Sequence, residues 1–143
     1  LYIHHSCGNV DKIIPELAEI GIDALEPVML CNDIEGSLKT CGDKITLMGG
    51  IDNQMIDQKG TDEDVIRAEV RRAMDTYVGK GRYIPYYIPT NKETFGIYID
   101  EVTKYGKDIF TNKNTVDAIM IPNLKPRYII KSIYKKLLYI FKY

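Results

Sequence analysis

The chain has 143 residues, 45% of them hydrophobic and 27% charged, which suits one folded domain with a real core and speaks against disorder. Its net charge of −1 hides a division: residues 1–110 hold 12 Lys and Arg against 19 Asp and Glu, whereas residues 111–143 hold 7 against 1. An acidic body speaks against nucleic acid as the main partner, and no run reaches the roughly 18 apolar residues that span a bilayer.

Residues 1–110 alternate short apolar runs with helical patterns four times, as parallel β/α units do. The first run, "LYIHHSCG", precedes "DKIIPELAEIG", where Ile13, Leu17 and Ile20 share a predicted helical face and Pro15 requires the helix to start close before it. The second, "IDALEPV", precedes the polar "DIEGSLKTCG", with room for a short helix around Leu38. The third, "KITLMGGID", ends in Gly49 and Gly50, which allow a sharp turn or a close approach to a ligand. The strongest helix follows, with Thr61 and Asp64 as an expected capping box and Ile66, Val70, Ala73, Met74 and Tyr77 as its stripe. Arg71 and Arg72 are expected on its solvated face. The fourth run, "RYIPYYIP", is interrupted by Pro85; "TNKE" at 90–93 then reads as a second capping box before a helix with Phe95, Tyr98, Ile99, Val102 and Tyr105 on one side.

The repeat of roughly 25 to 35 residues fits β/α barrels and doubly wound sheets alike. A doubly wound domain usually opens with a Gly-rich phosphate loop, which "SCGNVDK" is not. Four units do not close an eight-stranded barrel, and the chain begins with Leu, so the expected fold is α/β, about half of a (β/α)8 barrel over 1–110, with the other half supplied elsewhere.

In such folds the functional groups gather at the carboxyl ends of the strands. That rule selects His4, His5, Cys7 and Asn9 on the first unit, Glu26 on the second, Asp52 and Asn53 on the third, and Tyr86 and Tyr87 on the fourth. His5 and Cys7, two apart in an extended strand, point to one face, and His4 to the other. An imidazole and a thiolate together suit zinc, although a half-buried His beside an inert Cys is the alternative. Asp52 reads either as a catalytic carboxylate or as a helix-capping turn residue. Tyr86 and Tyr87 read as hydrogen-bond donors to a substrate, with packing on the helices as the alternative for one of them. Asn9, Gly49 and Gly50 are the candidate cofactor contacts. Cys31 and Cys41, ten apart, fit no common metal pattern.

The order "HSCGN", "GIDALEP", "GDKITLMGGID" and a long helix opening with "GTDEDV" resembles the C-terminal half of the uroporphyrinogen decarboxylase superfamily, over residues 2 to about 110. The resemblance implies a (β/α)8 barrel, whose members include metal-free tetrapyrrole decarboxylases of porphyrin biosynthesis and cobamide-dependent methyltransferases. The H-x-C-G sequence is similar to the methyltransferase branch, which implies His5 and Cys7 as zinc ligands at the end of the fifth strand. It also implies Glu26 as a carboxylate completing the shell, and a substrate thiol held as thiolate. Asp52 lies in a segment similar to the Gly-Asn-Leu-Asp of the seventh strand. The chain departs from the pattern at the eighth strand, where zinc-binding relatives supply a cysteine and this sequence has "PYYIP". Either Glu26, His4 or a rearrangement fills the shell, or the zinc has been lost.

The resulting expectation is a cytoplasmic enzyme fragment that acts on a small molecule. The leading reading is methyl transfer with a cobamide on a partner corrinoid protein; the alternatives are a uroporphyrinogen decarboxylase without cofactor and a non-catalytic fragment. Residues 111–143 form a divergent basic tail in which Ile129, Ile133, Leu137 and Ile140 share a helical face. That face could lie on a membrane surface or on a partner or, as the preferred reading, pack on exposed core.

Overall fold

A computed structural model describes residues 1–112. The four apolar runs form the strands β1 (Ile3–His5), β2 (Ala24–Val28), β3 (Thr46–Gly50) and β4 (Tyr83–Tyr86). They pair in parallel in the order β1-β2-β3-β4. Between and after them lie α1 (Ile14–Glu19), α2 (Ile34–Cys41), the single turn α3 (Asn53–Ile56), α4 (Glu63–Tyr77) and α5 (Lys92–Asn112). This α/β alternation is the architecture of part of a (β/α)8 barrel. Pro85 lies in β4, which pairs only with β3 among the described residues, so its missing N–H breaks no central ladder.

Leu25 and Leu47 are in register on adjacent strands and fully buried, and Tyr83 continues the row on β4. The helices cover this face with Ile14, Ile34, Leu38, Ile56, Ile66, Val70 and Met74. Each large aliphatic side chain withdrawn from water there contributes on the order of 2 kcal/mol before entropic costs.

The structure revises several local expectations. In α1 the buried pair is Ile14 and Ala18, while Ile13 and Ile20 are exposed. Pro15 confines the helix start to Ile14, and Ile20 is already the C-cap, so an i, i+4 pair sets the face. The segment around Leu38 is a full helix of 8 residues, with Asp33 accepting from the Gly36 amide at 2.9 Å and Ile34, Leu38 and Cys41 buried. Gly36, Ser37 and Thr40 are weak helix formers that mask it in the sequence.

Each predicted capping box is displaced by one residue. Asp62, not Thr61, caps α4 by accepting from Asp64, and the Thr61 hydroxyl bonds to the Gln58 carbonyl. Asn91, not Thr90, accepts from the Glu93 amide at the start of α5, while Thr90 donates both its amide and its hydroxyl to Asp57. The α4 stripe from Ile66 to Tyr77 is buried as expected.

Arg71 and Arg72 are not merely solvated. Arg71 meets the buried Glu101 at 2.5 Å, and Arg67 meets the same carboxylate at 2.7 Å. Arg72 pairs with the buried Glu69 and donates to the Gly50 carbonyl at 2.7 Å, tying α4 to the end of β3.

Among the described residues no helix is long and apolar enough to cross a membrane. The amphipathic face expected over 123–143 lies outside the described residues.

Candidate functional site

His5 and Glu26 occupy directly paired positions on β1 and β2, and in a parallel ladder such neighbours project from the same face of the sheet. Their side chains meet: His5 Nδ1 lies 3.0 Å from Glu26 Oε1. A carboxylate only accepts, so Nδ1–H donates and Nε2 is left as the free nitrogen. Cys7, two residues on, returns to the same side and places Sγ 3.4 Å from that Nε2. The same-face relation read from the spacing is therefore present as a contact.

On the far side of Glu26 stands Tyr86. Burial first, then the negative charge of Glu26 and a hydrogen bond to it, push the Tyr86 phenol well above its ordinary pKa. The phenol therefore stays protonated at neutral pH, beside the Glu26 carboxylate. Where β3 separates Val28 from Tyr86 it presents only Gly49 and Gly50. The cluster runs Cys7–His5–Glu26–Tyr86 across three strands; His5 and Cys7 are exposed, whereas only 19% of the Glu26 side chain is.

The other candidates fall elsewhere. A Cβ on Gly49 would collide with the backbone of Val28, so the close approach it permits is to β2. Gly50 has φ +75°, and an added Cβ would press on the Tyr83 hydroxyl and the Tyr77 ring. Asp52 caps α3, accepting from the Met55 amide at 3.1 Å, and its own amide donates to Glu69 at 2.7 Å. Tyr87 is buried edge-on against Tyr98 on α5, with no hydrogen-bond partner for its hydroxyl among the described residues. Of the tyrosine pair, Tyr86 joins the cluster and Tyr87 packs. The Asn9 amide group donates to the Cys31 carbonyl at 2.7 Å and to Asp11 at 3.2 Å. His4 lies on β1, half-buried, between the exposed Ile3 and His5. All three cysteines are free.

One residue escaped the sequence reading. Asn32 is buried, and its side chain bridges the loops after β1 and β2. Its only signal in the sequence was an asparagine immediately before the helix-capping Asp33.

Among the described residues no three His, Cys, Asp or Glu side chains converge to hold a metal ion. The donor pair nevertheless has suitable chemistry and spacing: zinc–sulfur and zinc–nitrogen bonds of about 2.3 and 2.0 Å at a tetrahedral angle put the two donor atoms roughly 3.5 Å apart. Glu26 engages the opposite nitrogen of the same ring, away from the edge that meets Cys7.

The profile of the uroporphyrinogen decarboxylase (URO-D) family matches residues 1–85, a stretch that contains His5, Cys7 and Glu26 and ends within β4. No curated protein matches the chain. The chain belongs to the URO-D family, whose members are enzymes.

Proposed function

Within that family, we propose that this chain carries the metal-binding mouth of an enzyme of the cobamide-dependent methyltransferase type, corresponding to the C-terminal half of the barrel. The reading rests on one observation: His5 is bracketed, with Nδ1 on Glu26 and Nε2 facing the Cys7 sulfur. That is the arrangement in which an imidazole and a thiolate bind one zinc ion while a carboxylate behind the ring fixes its tautomer and orientation.

His5 and Cys7 are the two ligands; the third protein donor that catalytic zinc takes is not among the described residues. Glu26 is assigned to the outer position rather than to the metal. Tyr86, a protonated phenol close to Glu26, borders the same carboxylate from β4. Zinc at this position would supply Lewis acidity, holding a substrate thiol as thiolate so that it can take a methyl group from a corrinoid on a partner protein. The exposure of His5 and Cys7 leaves the donor edge open to such a substrate.

The test is metal content. The purified full chain is expected to hold about one zinc, and its cobalt-substituted form to show sulfur-to-cobalt charge-transfer absorption. Cys7→Ala should lose both. A metal-free protein that binds uroporphyrinogen would instead favour the decarboxylase reading, which requires no thiol at this place.

A further inference from the structure

We infer that Asn32 is the positioning residue for this site: it holds the loop that carries Cys7 so that the sulfur meets His5 Nε2. The inference rests on the reading of Cys7 and His5 as the functional pair. Cys7 lies beyond the end of β1, where the sheet no longer dictates its direction. What fixes the chain there is a buried amide from the next unit. Asn32 Oδ1 accepts from the Val10 amide at 2.7 Å, and Asn32 Nδ2 donates to the carbonyls of Gly8 and Met29, each at 2.9 Å. Both chain segments are thereby clamped to one side chain, directly after Cys7 and at the exit of β2.

Outer bonds reinforce the clamp. The Gly8 amide donates to the Met29 sulfur at 3.3 Å, Asn9 reaches the Cys31 carbonyl, and Asp11 accepts from the Asp33 amide at 2.9 Å. Asn32 is the buried member of the set and the one that satisfies backbone groups on both loops. Loss of its amide group leaves the carbonyls of Gly8 and Met29 without that donor, and a loop free to shift by an ångström no longer aims Cys7.

The test compares Asn32→Ala and the near-isosteric Asn32→Asp, which lacks the two donors, with Ile14→Val, a core change that lowers stability while leaving Asn32 and the three backbone groups it bonds in place. In the metal-free full chain, a nuclear Overhauser contact between the His5 ring and the Cys7 β-protons is expected in wild type and Ile14→Val and absent in both Asn32 variants. In cobalt titrations the Asn32 variants should bind roughly tenfold or more weakly, with Ile14→Val unchanged. If the wild type binds no metal but the contact is lost only in the Asn32 variants, the zinc reading fails and the positioning role stands. A contact that survives in either Asn32 variant, or that is lost equally in Ile14→Val, overturns it.

Discussion

Two regions of this protein hold carboxylates out of water, and they do it with different partners. On the α4–α5 flank, Glu101 lies between Arg67 and Arg71, and Glu69 is gripped by Arg72. At the mouth of β1 and β2, Glu26 faces an imidazole and a phenol. A guanidinium keeps its charge at any accessible pH, so the flank pairs are fixed and serve to join elements. An imidazole presents its second nitrogen to a further group once the first is occupied, and here that group is an exposed thiol. A buried carboxylate is therefore no sign of a site in itself; the partner that answers it separates architecture from chemistry.

If that division is sound, the two regions respond oppositely to loss of a carboxylate. The largest effect on stability is expected for Glu69→Ala. It removes the acceptor of the Asp52 amide, which anchors the turn after β3, and strands the Arg72 guanidinium that also holds the Gly50 carbonyl. A cost of about 3 kcal/mol in a denaturant titration is expected. A cost below about 1 kcal/mol would mean that the flank is not the structural half of the pair.

Glu26→Gln should behave the other way. The amide keeps the shape, so stability should change by less than about 1 kcal/mol. The loss of a charged acceptor behind His5 should weaken cobalt binding by roughly 10- to 100-fold. Strong destabilisation with unaltered metal affinity would erase the distinction between mouth and flank.

The same contrast explains what could be read in the sequence. The four strands and the α4 stripe follow from periods of 2 and 3.6, which depend on neighbours along the chain, so they were legible; the spacing of two also pointed to the His5–Cys7 contact, although Cys7 lies past the end of β1. The acceptor at His5 Nδ1, the Asn32 clamp and the pairing of Arg71 with the buried Glu101 join residues 21 to 30 positions apart, and turn on which faces pack together. No local pattern encodes that. The α1 face and both helix caps were misplaced by single residues. A competing neighbour decided each: Pro15 in α1, Asp62 beside Thr61, and Asp57 drawing Thr90 away from the start of α5.

The smallest expected effect is a pH dependence confined to the flank. Burial works to raise the Glu101 pKa, but the hydrogen bonds from Arg71 and Arg67 prevail and hold it below the ordinary carboxylate value. Asp100 is lowered in the same direction by Lys104 and then Arg67. A carboxylate with a depressed folded pKa adds stability that is fully present above its unfolded value of about 4.3 and is lost as the pH falls through the folded value. The α4–α5 contact should therefore weaken in acid, below about pH 4. Because the arginine side of the Arg71 pair is half-exposed, solvent screening keeps the effect small, on the order of 4 °C in Tm between pH 5 and pH 3. Tyr98 and Tyr105 on α5 offer a near-ultraviolet circular-dichroism signal for the melt. In Glu101→Gln the Tm should be lower at neutral pH and its fall toward acid shallower, because the titrating group is gone. A wild-type profile that parallels the variant's would mean that the guanidinium pairs contribute packing alone, and the flank would then differ from the mouth in geometry but not in electrostatics.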